Sequence, residues 1–275
     1  MGNKGISLSL FDPAAVTMLK FFRQKGFKEF DSNNVLKLGN IFLIVLDPLI
    51  VPETRGEIPS TLNPYPTDYD QIAIKYDLDY YIIASRHWAQ SGQPSLTVHA
   101  TGNFSEALYG GRPHELQFVP ANPMRRVFLK LIENPPHGFK VSLEATHHSP
   151  TQFKTPLFFA EVGSSLTQWE NEGVCNYLVD CIMAGIESEE EAPIAIGFGG
   201  GHYCPKFSVL EKEYAFSHIA AKYSLQALNE DLFKQMVEKS VGKVKAAFAE
   251  SSLKGSEKKM IQDAMEKFGV LFSIK

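Results

Sequence analysis

The stretch Leu157-Phe158-Phe159-Ala160-Glu161-Val162 is an apolar run broken by a single carboxylate. Gly163-Ser164-Ser165 interrupts it, and a helical pattern runs from Thr167 to Ala184. Ile194-Ala195-Ile196-Gly197-Phe198 then opens directly into Gly199-Gly200-Gly201-His202. Strands that are apolar on both faces belong in a sheet covered by helices on both sides, so this segment predicts a strand–helix–strand unit of an α/β fold. The pattern repeats outward. Gly5–Phe11 predicts a strand, and Asp12-Pro13 supplies an N-cap and a proline at the first helical position for a helix ending at Gly26. Ile41–Leu46 and Tyr80–Ala84 are further apolar strands. Pro123–Glu133 places Met124, Val127, Phe128 and Leu131 on one helical face, and Phe139–Ala145 returns as a strand. A strand at Val244–Ala249, a helix at Glu257–Phe268 and a strand at Val270–Ile274 close the chain. The expected architecture is a three-layer α/β/α sandwich with a mixed, largely parallel sheet, forming a single domain over residues 1–275. In such sheets ligands bind beyond the carboxyl ends of the strands.

Composition narrows the class. The 275 residues are 44% hydrophobic and 21% charged, which suits a globular chain and rules out disorder as the main state. Cys175, Cys181 and Cys204 are too few for a disulfide framework, which points to a reducing, cytoplasmic setting. No signal peptide, myristoylation pattern or run of about 18 apolar residues is present, so no membrane role is expected. Charge is uneven. The segment between Lys154 and Lys206 has no Lys or Arg and eight carboxylates, so the remainder carries −4 + 8 = +4. Four of those carboxylates fall in Glu187–Glu191, read as a solvated turn. From Lys234 to Lys275 nine lysines face five acids, a helix surface that doubles as a candidate phosphate-attracting face. Pro48 to Pro66 holds five prolines and is read as a surface loop or lid.

Polar residues gather after the predicted strands. The clusters are Ser85-Arg86-His87, Thr97 to Asn103, Glu144 to Thr151, and Gly199 to Tyr203, and they hold five of the eight histidines. Glu161 adds a carboxylate to the same rim. His99, His147, His148 and His202 are therefore read as one functional site. Histidine and carboxylate are the ligands of catalytic zinc, although no HExxH-type spacing is present and spacing alone does not demand a metal. His147 and His148 alternate sides if the chain there is extended, so one of them is expected to brace rather than reach. Three consecutive glycines suit a nest of backbone amides for an anion or oxyanion. There is no GxSxG elbow and no Walker lysine, and Cys204 lies too near His202 in sequence to argue for a thiol nucleophile.

The blocks SRH, TVHATGNF, EATHHSPT, FFAEVGSS and GFGGGHYCPKF, in this order, together with AFSHIAAKY (Ala215–Tyr223), resemble the archaeal and plant family of D-aminoacyl-tRNA deacylases of the second type. The resemblance covers essentially the whole chain. It departs at Cys204, where relatives tend to carry alanine, and at Pro48–Pro66, which is longer than in archaeal members. It implies hydrolysis of the ester joining a D-amino acid to the 3′-terminal ribose of tRNA, a proofreading activity linked also to aldehyde-modified D-amino acids. It further implies a fold similar to peptidyl-tRNA hydrolases and phosphorylase/hydrolase-like proteins, zinc as cofactor and tRNA as partner. On that footing His99, His147, Glu161 and His202 are metal-ligand candidates. His147, His148, Glu144, His202 and Asn103 are catalytic candidates, with Asn103 a possible oxyanion donor. Gly199, Gly200, Gly201, Arg86 and Thr101 are substrate-contact candidates. Arg86, Arg125, Arg126 and the C-terminal lysines are candidates for tRNA phosphates. A monomer is expected. The competing readings are a peptidyl-tRNA hydrolase, a zinc-dependent amidohydrolase, and a tRNA-binding protein without catalysis.

Overall fold

A computed structural model describes residues 2–46 and 68–275, so the proline-rich loop expected at 48–66 lies outside the described residues. The chain opens with β1 (Asn3–Ser9), α1 (Pro13–Gln24), β2 (Lys28–Asp31), β3 (Val35–Leu38) and β4 (Ile41–Leu46). Then come α2 (Tyr69–Tyr76), β5 (Leu78–Trp88), β6 (Ser95–His99), β7 (Gly102–Asn103), β8 (Glu115–Leu116), α3 (Ala121–Glu133) and β9 (Lys140–Leu143). They are followed by β10 (Leu157–Ser164), α4 (Leu166–Trp169), α5 (Glu172–Glu187), β11 (Ile194–Phe198), α6 (Pro205–Leu210) and β12 (Ala215–Ala220). After a 3-10 turn at Lys222–Ala227 the chain ends with α7 (Glu230–Glu238), β13 (Val244–Ala249), α8 (Gly255–Lys267) and β14 (Leu271–Ile274).

The architecture is the expected mixed, largely parallel α/β arrangement, with most of its strands divided between two large sheets and β7 and β8 forming a separate two-stranded one. The first runs β2-β3-β4-β1-β5-β10-β6-β9, and the second runs β12-β11-β13-β14. In the first sheet β4, β1, β5 and β10 are parallel, while β6 runs against β10 and pairs in parallel with β9. All four strands of the second sheet are parallel. Alternate residues of β5 and β10 feed different cores. Tyr80, Ile82, Phe158 and Ala160 face α1, α3 and α5, whereas Tyr81, Ile83, Leu157 and Phe159 face α2. Burial on both faces explains why these strands read as continuous apolar runs. Each fully buried large side chain, such as Phe22, Phe128 or Phe158, contributes about 1.5–3 kcal/mol.

Local chemistry sets the boundaries. Asp12 Oδ1 accepts from Ala14 N (2.8 Å) and Ala15 N (3.1 Å), starting α1 where the sequence predicts it. The same carboxylate's Oδ2 accepts from Arg86 N (2.7 Å), tying α1 to the end of β5. Strand β5 is longer than its apolar run. Ser85, Arg86 and His87 are the last part of the strand rather than a loop beyond it, and β10 likewise extends through Gly163 and Ser164. Thr97 to His99 are strand too.

The two sheets are joined through the segment after β9. Ala145 N donates to His202 O (2.8 Å), Thr146 N to Ile219 O (2.9 Å) and Cys204 N to Leu143 O (2.9 Å), all toward the second sheet. On its other side Glu144 N donates to Val98 O (3.1 Å), and Thr101 and His147 form a parallel bridge. Residues 143–148 thus lie along the seam between the sheets. No helix among the described residues is long and apolar enough to cross a membrane.

Candidate active site

The antiparallel placement of β6 decides what meets at the seam. In register, Phe159 of β10 faces His99, and Glu161 faces Ser85 of β5, so the end of β6 lies beside the first half of β10, two residues before Glu161. His87 stands on β5 opposite Gly163, where a Cβ would lie 2.6 Å from the His87 ring; glycine makes the room the imidazole needs. Glu144, His147 and His148 come from the seam, and His202 from the turn after β11. His148 has a left-handed backbone (φ 48°), so the chain is not extended there and both adjacent histidines turn inward, with ring centroids 4.3 Å apart. The expectation that one of the pair would only brace fails for that reason.

Five imidazoles and two carboxylates share this spot. His99 Nδ1 bonds Ala100 O (3.1 Å), His147 Nδ1 bonds Ala145 O (2.7 Å) and His148 Nδ1 bonds Ser149 O (2.6 Å). A backbone carbonyl can only accept, so each Nδ1 carries a proton, and in the neutral ring Nε2 presents a bare lone pair. His99 Nε2 lies 3.6 Å from Glu161 Oε2 and 3.8 Å from Glu144 Oε2, and His147 Nε2 is 3.8 Å from Glu144 Oε2. His87 Nδ1 is 3.2 Å from Glu144 Oε1 and 3.5 Å from Glu161 Oε2, and His202 Nε2 is 3.5 Å from Glu144 Oε1. His99 Nε2 and both carboxylate oxygens of Glu144 are buried without any hydrogen-bond partner.

Such orphaned acceptors facing one another cost several kcal/mol unless a positive charge sits among them. Ligand atoms of His99, His147 and His148 converge, as do those of His87, Glu144 and His202 and of His99, Glu144 and Glu161. Histidines whose other nitrogen is pinned to a carbonyl, opposite buried carboxylates, fit a zinc ion.

Electrostatics follow the same geometry. Burial and the neighbouring imidazoles drive His147 well below the usual range, and burial with His99 beside it takes His148 to about 3. Both stay neutral and able to ligate. Burial pulls His87 and His99 down too, but the carboxylates of Glu144 and Glu161 outweigh it and raise them. Glu161 itself is lowered: burial would raise it, and the His87 and His99 imidazoles more than reverse that. Ser85 Oγ donates to Glu161 Oε1 (2.7 Å) and fixes its plane.

His87, His147, His148, Glu161 and His202 floor a cavity of about 350 Å³, with His99 and Glu144 buried behind them; it is lined also by Arg86, Phe104, Glu106, Thr146 and Ser224, with Trp88, Leu108, Tyr109 and Tyr223 exposed at its mouth. Several sequence candidates sit elsewhere or are already engaged. Gly199, Gly200 and Gly201 do not line the cavity. Gly199 N is spent on Ala220 O (2.9 Å), and a Cβ at Gly199 would lie 2.8 Å from Glu250, so this turn's positive φ serves packing against Glu250. The Asn103 amide donates to Gly110 O (2.9 Å) and Arg112 O (3.1 Å), shaping the loop at the mouth instead of reaching an oxyanion. Thr101 Oγ1 donates to Pro150 O (2.6 Å) and is buried. Arg125 is buried and bonds Glu211 O and Lys212 O, which removes it from any phosphate surface. Cys204 is buried and its thiol is pushed up by that burial, in keeping with an inert role. The metal-ligand candidates omit His87, and they omit His148 and Glu144, which stand among the catalytic candidates; the position of His87 in Ser85-Arg86-His87 at a strand end is the signal that marks it. Tyr203, whose hydroxyl is 2.8 Å from His87 Nε2, carries no such signal beyond its neighbour His202.

The chain is similar to known proteins in sequence and in fold. The family model described as D-aminoacyl-tRNA deacylase matches residues 74–272. The D-aminoacyl-tRNA deacylase of Thermococcus onnurineus is 33% identical, over 93% of each chain. That of Cenarchaeum symbiosum is 35% identical over 73% of this chain and 80% of its own. That of Pyrococcus abyssi is 29% identical over 98% of both. The crystal structure of a conserved protein of unknown function superposes with a TM-score of 0.85 at 23% identity, covering 99% of this chain and 95% of that one, and so shares the fold.

Proposed function

This chain belongs to the D-aminoacyl-tRNA deacylase family, and on that premise we propose that it hydrolyses the ester between a D-amino acid and the 3′-terminal ribose of tRNA at the His/Glu cluster. The observation that carries the site is the convergence of His99, His147 and His148, each ring fixed by a carbonyl behind it, beside the buried carboxylates that face His99 and His147.

His99, His147 and His148, with Glu161 facing His99, are the groups that would hold zinc. Such an ion supplies polarisation of the ester carbonyl and lowers the pKa of a water toward neutrality. The chain's own residues do the rest. The aminoacyl group enters the cavity with its ammonium toward carboxylate, Glu161 on the floor or Glu106 at the mouth. Water oxygen attacks the carbonyl carbon, and its proton passes to Glu144, whose oxygens have no other partner. The bond from carbonyl carbon to ribose oxygen then breaks. His202, half-exposed at the mouth and 3.5 Å from Glu144, gives that oxygen a proton and regains one from Glu144. A cytoplasmic monomer belongs to the same proposal; three free, buried cysteines suit a reducing compartment.

The test is release of D-tyrosine against L-tyrosine from tyrosyl-tRNA, with and without a chelator. D-selective release that chelation abolishes supports the reading, and His147→Ala and His202→Ala should each remove turnover. Retained activity in either variant overturns the site. An enzyme built around a free ammonium also rejects N-acetylated substrate; rapid cleavage of that substrate favours a peptidyl-tRNA hydrolase instead.

A further inference from the structure

Tyr223 is a large aromatic side chain left 57% exposed, and it borders two cavities at once: the one over the His/Glu cluster, and a neighbouring open one that includes Lys222 and Lys254. Its place is fixed by the chain. Lys222 N donates to Gly200 O (3.0 Å) and Ser224 N to Ala221 O (2.8 Å), which set the 3-10 turn against the loop that carries His202. Lys222 and Lys254 are exposed and form no ion pair among the described residues. Some lysines elsewhere are engaged with carboxylates, as in Lys20–Glu172, Lys75–Asp31 and Lys259–Asp263; what sets Lys222 and Lys254 apart is their place beside this ring and the cavity mouth. The one carboxylate bordering the second cavity, Glu257, accepts from Lys254 N (2.7 Å) at the start of α8. An exposed ring next to unpaired ammonium groups is what single-stranded nucleic acid uses, bases stacking on the ring and phosphates following the charge.

We infer that the unpaired 3′ end of the RNA reaches the site across Tyr223, its last base stacked on that ring and its phosphates leading away past Lys222 and Lys254. The inference rests on the proposed function and names the surface that function requires. It accounts for a chain of net charge −4 handling a polyanion: the positive charge is local, beside the cavity mouth. It also assigns Tyr223 to holding substrate, with no part in bond cleavage.

Two separate readouts test it. The first is equilibrium binding of uncharged tRNA with and without its terminal adenosine. Wild-type protein should prefer the complete 3′ end by about tenfold or more, and Tyr223→Ala should erase that preference while Tyr223→Phe keeps it. Lys222→Ala and Lys254→Ala should weaken both RNAs alike and each lower the salt-dependence slope by about one. The second is turnover of D-tyrosyl-tRNA, where Tyr223→Ala should raise KM about tenfold and leave kcat within about twofold. Undiminished preference for the terminal adenosine in Tyr223→Ala overturns the inference while leaving the deacylase reading intact. A wild-type protein that shows the binding preference and releases no D-amino acid overturns the deacylase reading alone.

Discussion

The Tyr203 hydroxyl lies 2.8 Å from His87 Nε2, while Glu144 Oε1 stands 3.2 Å from Nδ1 of the same ring. The hydroxyl thus fixes one edge of the ring, Glu144 faces the other as a charge contact, and Trp169 Nε1 adds a bond to the His87 carbonyl (3.0 Å). Removing the hydroxyl in Tyr203→Phe keeps the ring volume and frees one edge of the imidazole. Partners of this kind are worth 10- to 100-fold in activity or metal affinity, so kcat should fall by about that factor with KM little changed. Steady-state kinetics on D-tyrosyl-tRNA decide it; wild-type kcat would make Tyr203 mere packing.

Metal removal should be visible without any substrate. The cluster buries two carboxylates, and a cation that binds only the folded chain stabilises it by about 2.7 kcal/mol at a hundred times its Kd. For a chain of this size that corresponds to roughly 5–10 °C in Tm. Chelation should lower the thermal midpoint of the wild-type protein and leave His147→Ala unmoved. Equal midpoints with and without chelator in the wild type would remove the metal from the cluster.

Glu211 offers a pH-dependent prediction away from the site. It is fully buried, its Oε2 accepts from Phe216 N (3.0 Å), its Oε1 has no partner, and burial raises it well above the ordinary 4.5 in spite of Arg125 nearby. A group raised in the folded state contributes stability that is complete below its unfolded value and is lost as pH rises through the folded one. Glu211→Gln keeps the acceptor and cannot ionise. Above pH 4.5 the wild type should lose up to about 1.4 kcal/mol per pH unit relative to this variant, until the folded value is passed. Denaturation curves at several pH values that stay parallel would mean Glu211 is charged in the fold.

Helices α3 and α5 touch at Gly185. A Cβ there would stand 2.7 Å from Val127 Cγ2 and 2.9 Å from Val127 Cα and N. Backbone of a packed helix yields poorly, so Gly185→Ala should destabilise by about 1–3 kcal/mol, more than alanine's helix preference returns. Urea midpoints measure this directly, and an unchanged midpoint would mean α3 can shift aside.

The sequence pattern reveals most of the fold because β4, β5, β10 and β11 are buried on both faces, which leaves a run of apolar residues that no loop has reason to carry. The pattern under-reads β5, since Ser85-Arg86-His87 looks like a loop while its backbone still pairs with Val162 and Gly163. Polar residues on a strand are invisible to hydropathy when the strand end forms a site. The division into two sheets is also unmarked, because it depends on hydrogen bonds made by residues 143–147 to partners some sixty to seventy positions later. Clustering of histidines at strand ends identifies His99, His147, His148 and His202. Their tautomers, and the engagement of Asn103, Thr101 and Gly199 in other bonds, depend on which carbonyl happens to lie beside each group, and a linear pattern holds no trace of that.

The position of the cluster on the seam also fixes when the protein becomes active during its own synthesis. Its groups come from five separate segments, and His87 and His202 are 202 − 87 = 115 positions apart. Residues 143–148 take their final path only when Ile219 of β12 is present to bond Thr146. A growing chain that has made the whole first sheet still lacks the centre. At the site proposed above, the nascent polypeptide has no complete centre until His202 and the second sheet have been made.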